Sequence, residues 1–387
     1  MQGERTTRQK VKSIDWVTIV LVLTLVAFGT VTIANVLADP FSGDETSLGD
    51  IQAKLNMFYV QKHVKNFLFG VVVMLVMFAV DYEIYGRFIR YAYLANLALL
   101  ALLIAMDKTS RGVAGWFDLG SMSFQPSEVC KVTLTIMLSK LAAEIYEKEG
   151  GIKSLRNLGT LLLYFLVPFL LVIWQPDFGT AVVYVAIFAC ILFVSKIKWK
   201  YILSAILAVA ALAPVSYFYL FSDDQRERIQ VFLDQTRDLA GSGLQVDVSK
   251  MAIGSGQMYG KGYFTDGTLA QLKHVPERHT DFIFAGVAEG LGFVGGTVLI
   301  VLFFALIARW MWVGYRAKDH FGTCMAVGLS GMMLAHVFEN IGMTIGLMPV
   351  TGIPLPFVSY GGSNMLTNLM ATGVILNIWF RRQHQRR

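Results

Sequence analysis

Charged residues and cysteines are scarce in this sequence. Only 16% of its 387 residues are charged, against about 25% in soluble domains, and this scarcity excludes an ordinary soluble protein. The three cysteines, Cys130, Cys190 and Cys324, lie in apolar segments and lack the spacing of metal ligands. We therefore interpret them as small core residues, which excludes a disulfide framework and a cysteine-ligated metal site.

Long apolar runs make up most of the chain instead. Ten of them approach the roughly 17–25 residues that a helix needs to span a bilayer, although two are short and must extend into their flanks. They are residues 14–37, 66–80, 88–106, 129–145, 158–174, 180–194, 201–221, 282–312, 324–347 and 365–380. The first run lacks a small-x-small cleavage site, so we expect it to remain as a span. The sequence predicts an all-α polytopic membrane protein with ten transmembrane helices.

Lysine and arginine predict the orientation of these spans. They mark the N-terminal segment 1–13, alternate short connections and the tail 381–387, all on one face, which is then cytoplasmic. The acidic loop 38–65 and the long loop 222–280, between helices 7 and 8, fall on the extracytoplasmic side. The net charge of +6 therefore reflects topology and contact with anionic membrane lipids, and gives no reason to suspect nucleic acid.

The long loop 222–280 ends where polar sequence meets an apolar span. Asp281 stands at that boundary, shortly after Arg278 and His279 and directly before Phe282. An acid at such a place is a candidate for chemistry on a lipid-borne substrate; the alternative is that it only caps the eighth helix. Within the loop, helical spacing predicts a short amphipathic helix near residues 229–233, and glycines predict an irregular, cavity-lining segment at 253–262.

Three polar clusters interrupt the apolar pattern near the predicted outer face. The first runs from Arg111 and Trp116 to Glu128 and Lys131, which lie on one face of a helix that Ser127 is expected to cap. Two interpretations stay open for this pair: the two charges neutralise each other inside a span, or they line an outer cavity.

The second and third clusters are turns between spans. Asp177, in the turn 175–180, either caps the next helix or organises the cavity. The segment 348–363 contains three prolines and three glycines, which exclude a continuous helix. Its backbone amides and carbonyls then need polar partners or a ligand, and Ser359 lies within it.

Four motifs together resemble a known family. Residues 125–131, 175–180, 276–284 and 346–363 are similar, in order, to the SEDS proteins, the group containing RodA, FtsW and SpoVE. The resemblance covers the whole span pattern. It implies a peptidoglycan glycosyltransferase that polymerises lipid II into a growing glycan chain outside the bacterial cytoplasmic membrane, usually beside a class B penicillin-binding protein. The family's essential acid falls on Asp281.

The implied chemistry suits a single carboxylate. Glycoside hydrolysis generally needs two carboxyl groups because its leaving alcohol must be protonated, whereas a diphosphate leaves as a stable anion. We expect Asp281 to be the general base for the 4-hydroxyl of the acceptor sugar. Candidates for holding the diphosphates are Arg111, Lys131, Lys273 and Arg278, and Mg²⁺ or Mn²⁺ could share that task. Glu128, Asp177 and Ser359 complete the predicted substrate-binding set.

The chain departs from the family pattern at three places. Gly290 stands where a second Glu is common, Asn364 replaces a common Ser, and Gly115 precedes Trp116 where a basic residue is frequent. None of these positions touches the motif of Asp281. A RodA-like role in elongation and cell shape is preferred because the chain is short and lacks long cytoplasmic tails.

Two other functions remain open. A flippase that moves a lipid-linked precursor would also use broken helices and intramembrane charges, although these charges cluster towards one face and no clear inverted repeat is visible. A non-enzymatic scaffold could dock a partner through the glycine- and methionine-rich ninth span, which contains Gly328, Gly331 and Met332.

Overall fold

The structure is a computed structural model that describes residues 14–39, 56–106, 115–118, 123–215, 218, 223–234, 241–265, 267–269 and 277–382. Within these residues the chain forms twelve α-helices and one pair of two-residue antiparallel strands. In chain order they are α1 Trp16–Leu37, α2 Met57–Ala79, α3 Tyr82–Ala105, β1 Phe117–Asp118, β2 Ser123–Phe124, α4 Pro126–Glu149, α5 Leu155–Trp174, α6 Phe178–Val194, α7 Trp199–Val215, α8 Asp223–Leu233, α9 Ser242–Ser255, α10 Ile283–Tyr315, α11 His320–Thr344 and α12 Gly362–Arg381.

The predicted apolar segments coincide with helices. The larger part of each lies on one of α1–α7 or α10–α12, although residues 216, 217 and 219–221 of the seventh segment lie outside the described residues. The short prediction 66–80 proves to be the second half of α2, which begins at Met57. Six of the helices in the described residues (α1, α2, α3, α5, α10 and α11) are long and apolar enough to cross a membrane. The predicted polytopic, helical membrane protein is therefore confirmed.

Helices α4 and α12 carry more polar residues because they lie inside the bundle. Helix α4 packs against α3, α6 and α11, and α12 packs closely against α2. Fifteen residues of each are buried. Their polar side chains consequently meet protein rather than hydrocarbon, which is the condition under which such groups are tolerated at membrane depth.

Several helix ends meet at one end of the bundle, here called the loop end. Helices α4, α6, α10 and α12 begin there and α11 ends there. The backbone N–H of Gln125 donates to Ser363 Oγ (3.0 Å), and the side chain of Gln125 donates to Asp177 (3.0 Å). The N–H of Tyr360 donates to the carbonyl of His279 (2.9 Å). These bonds bring the polar clusters predicted from sequence to one place.

The described part of the long loop folds back onto the loop end. Helix α8 confirms the predicted short helix, but the expectation that glycines prevent a helix from residue 253 onward is wrong for three residues, because α9 continues to Ser255. Val246, Val248 and Ala252 of α9 pack against Phe282 and Ala285 at the start of α10. This apolar contact stabilises α9. It joins residues that are distant in the chain, so no local sequence pattern indicates it.

Gly290, where the resemblance leads one to expect a second Glu, packs directly against a tyrosine ring. A Cβ there would lie 2.4 Å from ring carbons of Tyr263, and the Tyr263 hydroxyl is fixed by a 2.8 Å hydrogen bond with Thr32. There is no room for a glutamate side chain beside this tyrosine.

We expect Gly290→Ala to destabilise the protein by about 1–3 kcal/mol through overpacking, seen as a lower midpoint in thermal unfolding. Gly254→Ala is the matched control, because a Cβ at Gly254 meets no atom within 4 Å. Equal midpoints for the two variants would contradict the packing argument.

Candidate active site

Asp281 lies at the loop end, two residues before α10. Its side chain is partly exposed, and the N-cap position of α10 is Phe282, with no side-chain hydrogen bond capping the helix. The alternative that Asp281 serves only as a helix cap is therefore not what the structure shows. A Cβ at Gly352 would be 3.6 Å from Asp281 Oδ2, so the carboxylate faces the glycine of the broken segment between α11 and α12.

Two side chains hold the backbone around Asp281. Asn340 Nδ2 donates to the carbonyl of Asp281 (2.8 Å) and to that of Ile353 (2.7 Å). Ser359 Oγ donates to the carbonyl of Thr280 (2.5 Å). The segment before α10 is thereby tied both to α11 and to the broken segment, through main-chain atoms that leave the Asp281 carboxylate out of these bonds.

Ser359 has a structural role in place of the predicted substrate-binding one. Besides donating to Thr280, its hydroxyl accepts the N–H of Leu355 (2.8 Å), and the residue is 2% exposed. It was predicted to bind substrate; in the structure it is buried and holds the loop that carries Asp281.

The broken segment 348–363 is non-helical up to Gly361, as its prolines and glycines predict. It packs into the bundle: a Cβ at Gly29, in the middle of α1, would lie 2.5 Å from the backbone of Val358. Phe357 adopts a left-handed backbone (φ 64°) and is fully buried. Such a conformation persists in a non-glycine residue only when the surroundings enforce it.

Three aromatic rings form a cluster that includes His279, two residues before Asp281. The ring of Tyr59, at the start of α2, is 4.8 Å from that of His279 and 5.2 Å from that of Tyr360, centroid to centroid. All three are partly exposed. His279, which precedes Asp281 by two residues, therefore belongs to an aromatic cluster.

Glu128 and Lys131 form a buried ion pair. The Lys131 ammonium is 2.6 Å from Glu128 Oε1 and 3.0 Å from His336 Nε2, and Lys131 is fully buried. Because an ammonium only donates, Nε2 of His336 accepts. The interpretation that the two charges neutralise each other is the one the geometry supports, and Lys131, predicted to hold diphosphate, has no exposed surface with which to do so.

Further polar groups surround this pair, and the sequence reasoning missed them. In the part of the chain that the structure describes, both carboxyl oxygens of Glu339 lack a hydrogen-bond partner, as do Oε2 of Glu128 and Nδ1 of His336. Buried polar atoms without protein partners indicate water or ligand in between. A signal was available, since His336, Glu339 and Asn340 recur at helical spacing on one face of α11.

Asp177 caps the next helix, which is one of the two roles considered for it. Its Oδ1 accepts the N–H of Thr180 (3.1 Å) and so caps α6, while Oδ2 accepts from Gln125 (3.0 Å) and from Ser127 Oγ (3.2 Å). The prediction that Ser127 caps α4 is wrong: the N-cap is Gln125, with no side-chain cap bond, and Ser127 is drawn to Asp177 instead.

Of the other predicted cations, only Arg278 can be placed. Its Nε donates to the carbonyl of Val36 at the end of α1 (2.6 Å), an arrangement favoured at helix C-termini. Partial burial lowers the pKa of its guanidinium from the usual value. Arg111 and Lys273 lie outside the described residues.

The family model described as "Cell cycle protein", which represents FtsW, RodA and SpoVE, matches residues 15–384. The chain belongs to this family. The resemblance seen in its four motifs is thus confirmed.

Curated relatives of this family are similar along most of their length. Peptidoglycan glycosyltransferase MrdB of Escherichia coli K12 is 39% identical over 324 residues, covering 84% of this chain and 86% of MrdB. Stage V sporulation protein E of Bacillus subtilis 168 is 33% identical over 330 residues, covering 84% and 87%. The enzyme class that the resemblance implied is the one that MrdB carries.

A solved structure has the same family fold. One chain of a peptidoglycan synthase complex that coordinates polymerization and crosslinking superimposes with a TM-score of 0.78 at 27% identity, over 96% of this chain and 99% of that one. This chain is therefore a multi-pass bacterial membrane protein of the FtsW, RodA and SpoVE family.

Proposed function

We propose that this protein polymerises lipid II into glycan strands at the outer face of the cytoplasmic membrane, with Asp281 as the general base. The observation that carries the proposal is the mounting of Asp281: a partly exposed carboxylate stands on a backbone that buried Asn340 and Ser359 tie to two neighbouring segments. A fixed base beside an accessible surface is what proton removal from a substrate hydroxyl requires.

The proposed reaction is a single displacement. The 4-hydroxyl of the acceptor sugar gives its proton to the Asp281 carboxylate while its oxygen bonds to the anomeric carbon of the donor. The bond from that carbon to the diphosphate oxygen breaks, and undecaprenyl diphosphate leaves as an anion. The candidates for stabilising that anion are Arg278, Arg111 and Lys273. Lys131 is buried, so we assign it a structural role instead.

The aromatic cluster of Tyr59, His279 and Tyr360 suits the sugar of the substrate. The faces of aromatic rings carry partial negative charge and attract the C–H groups on the apolar face of a sugar ring. We expect Tyr59→Leu to raise KM for lipid II several-fold with a smaller effect on kcat. Phe69→Leu, which changes an exposed ring further along α2, is the control, and equal KM values in the two variants would contradict the assignment.

We further propose ten spans with both termini in the cytoplasm and the loop end outside. The agreement of every predicted segment with a helix and the one-sided distribution of lysine and arginine support it. Cysteine-accessibility labelling of Ser255→Cys and Ser154→Cys, which lie on connections predicted to be on opposite sides, should give outside and inside labelling respectively. Labelling of both from the same side would contradict this topology.

A divalent cation is the remaining proposal on chemistry. The described residues contain no group of three or more His, Cys, Asp or Glu side chains that could hold a metal ion, so they do not form a protein cage for Mg²⁺ or Mn²⁺. A cation would instead arrive on the substrate diphosphate, as Mg²⁺ commonly does. Loss of polymerisation in EDTA and its recovery with Mg²⁺ or Mn²⁺ would support this; full activity in EDTA would exclude it.

The partner and the cellular role are proposed on the basis of the similarities. A class B penicillin-binding protein is proposed as partner because a similar chain belongs to a complex that coordinates polymerization with crosslinking. A role in elongation and cell shape is proposed because identity to MrdB (39%) exceeds identity to the sporulation protein (33%).

One assay separates the proposed enzyme from its rivals. The purified protein is given lipid II with and without the candidate partner, and glycan chains are counted by length on a gel. Polymer formation supports the proposal. Movement of lipid II between leaflets of proteoliposomes without polymer would favour a flippase, and neither activity would favour a scaffold.

A further inference from the structure

Helix α10 is broken at Gly292, eleven residues after Asp281. Gly292 has φ 67° and ψ −164°, which is not helical, so the carbonyls before it lose their helical partners. The loop after α9 supplies replacements: Lys261 N–H donates to the carbonyl of Glu289 (3.0 Å) and Gly262 N–H to that of Gly290 (2.9 Å).

The same loop satisfies the amides on the other side of the break. Phe293 N–H donates to the carbonyl of Gln257 (2.8 Å), and Val294 N–H donates to that of Met258 (3.1 Å). Four backbone hydrogen bonds therefore join residues 257–262 to the two halves of α10. A break in a membrane helix is tolerated only when such freed groups are satisfied.

The side chain of Glu289 fastens this loop a second time. Its carboxylate is 1% exposed and Oε1 accepts from Lys261 Nζ (2.8 Å) and from the N–H of Leu269 (2.7 Å). Bonds between charged partners are the stronger ones. The Lys261 side chain is 32% exposed, so removing its cation leaves the buried Glu289 carboxylate as the uncompensated charge. The Glu289 carboxylate therefore holds the side chain of Lys261 and the backbone of Leu269 against α10.

The close contact between residues 256–260 and α10 also leaves the two backbones little freedom to move past each other. A Cβ at Gly256 would be 2.0 Å from the carbonyl oxygen of Ala288, and one at Gly260 would be 2.2 Å from that of Gly290. The backbones meet directly, as they do only where glycine permits it. We call residues 256–262, which include Lys261, together with Glu289 and Gly292 of α10, the clamp.

The clamp holds the end of the short helical segment 283–291, and Asp281 lies just before the start of that segment. Residues 283–291 are held at the start by Asn340 and Ser359 through the backbone of Asp281 and Thr280, and at the finish by the clamp. We propose that Glu289 and Lys261 are positioning residues that fix the Asp281 carboxylate against the substrate hydroxyl. The proposal rests on the function proposed above for Asp281. Such positioning can affect the rate strongly, since a misplacement of a catalytic group by about 1 Å can lower the rate about 10²-fold.

The test compares Glu289→Gln, Lys261→Met and Lys261→Arg with wild type. Asp247→Asn is the matched control, because it removes an ion pair with Lys250 on α9 in which both side chains are 41% exposed. Steady-state polymerisation of lipid II provides kcat and KM, and hydrogen–deuterium exchange follows the amides of residues 257–262 and 293–294.

We expect kcat to fall about 10–100-fold in Glu289→Gln and Lys261→Met with KM within about twofold of wild type. Exchange should rise only at the clamp amides. Lys261→Arg, which keeps the charge, should restore most of kcat, and Asp247→Asn should match wild type in all readouts.

Two results would overturn the proposal: faster exchange at the clamp with unchanged kcat, or loss of activity accompanied by faster exchange throughout the protein. Failure of the proposed function is distinguishable, because it would appear as a wild type without polymerase activity or as an active Asp281→Asn variant. Exchange needs no turnover, so it would still show whether Glu289 and Lys261 hold the clamp.

Discussion

Asp281→Asn is expected to lower lipid II polymerisation by about 10²–10⁴-fold, the usual contribution of a general base. Asparagine has nearly the same shape as aspartate but cannot accept a proton at the pH of the reaction. The fold should survive, because Asn340 and Ser359 bind the backbone of this segment and α10 has no side-chain cap to lose. The measurement is glycan formed per minute by purified variant and wild type.

Two further measurements make this result specific. The thermal midpoint of Asp281→Asn should lie close to that of wild type, and partner binding should be retained. Asp247→Asn, at an exposed aspartate of α9, should polymerise normally. Retained polymer synthesis by Asp281→Asn would reject the assignment of the base.

Breaking the buried ion pair is expected to have the largest effect on stability. Glu128→Ala and Lys131→Ala should each reduce the free energy of unfolding by about 3–5 kcal/mol, because each leaves one buried charge without its partner. The two side chains are 5% and 0% exposed and 2.6 Å apart, so solvent cannot screen the charge that remains. Thermal unfolding in one detergent provides the comparison.

The same helix supplies a control for that experiment. Lys140 and Glu144 are 4.0 Å apart with 22% and 44% exposure, and an exposed pair of this kind contributes only about 0–1 kcal/mol. Glu144→Ala should therefore melt near wild type. Replacing both Glu128 and Lys131 by Leu and Met should recover much of the lost stability. Undiminished midpoints in both alanine variants would contradict pairing.

Much of the fold was predictable because it follows from local sequence. Runs of apolar residues predicted the positions of ten helices, and prolines and glycines predicted the broken segment before α12. The three-residue spacing of Glu128 and Lys131 predicted that they could pair, since residues three apart on a helix are neighbours. The position of Asp281 was evident from the change between polar loop and apolar span.

Other residues could not be assigned from local sequence because their partners are distant along the chain. Ser127 has the composition of a helix cap, yet its hydroxyl donates to Asp177, 50 residues away. Ser359 was predicted to contact substrate, but Thr280, 79 residues away, accepts its hydrogen bond. Lys131 was expected to be accessible to diphosphate until His336 and Glu128 were seen to enclose it.

The amino-acid sequence by itself determined the helical membrane class, the positions of the apolar helices and the place of Asp281 just before one of them, because hydrophobic run length, helical spacing and turn residues act over a few neighbouring positions. Only the tertiary structure decided which polar groups face one another: the mounting of Asp281 by Asn340 and Ser359, the buried pair with His336, and the contact of Lys261 with Glu289. Those pairings depend on distance in space, and hydrogen bonds and ion pairs form only within about 4 Å.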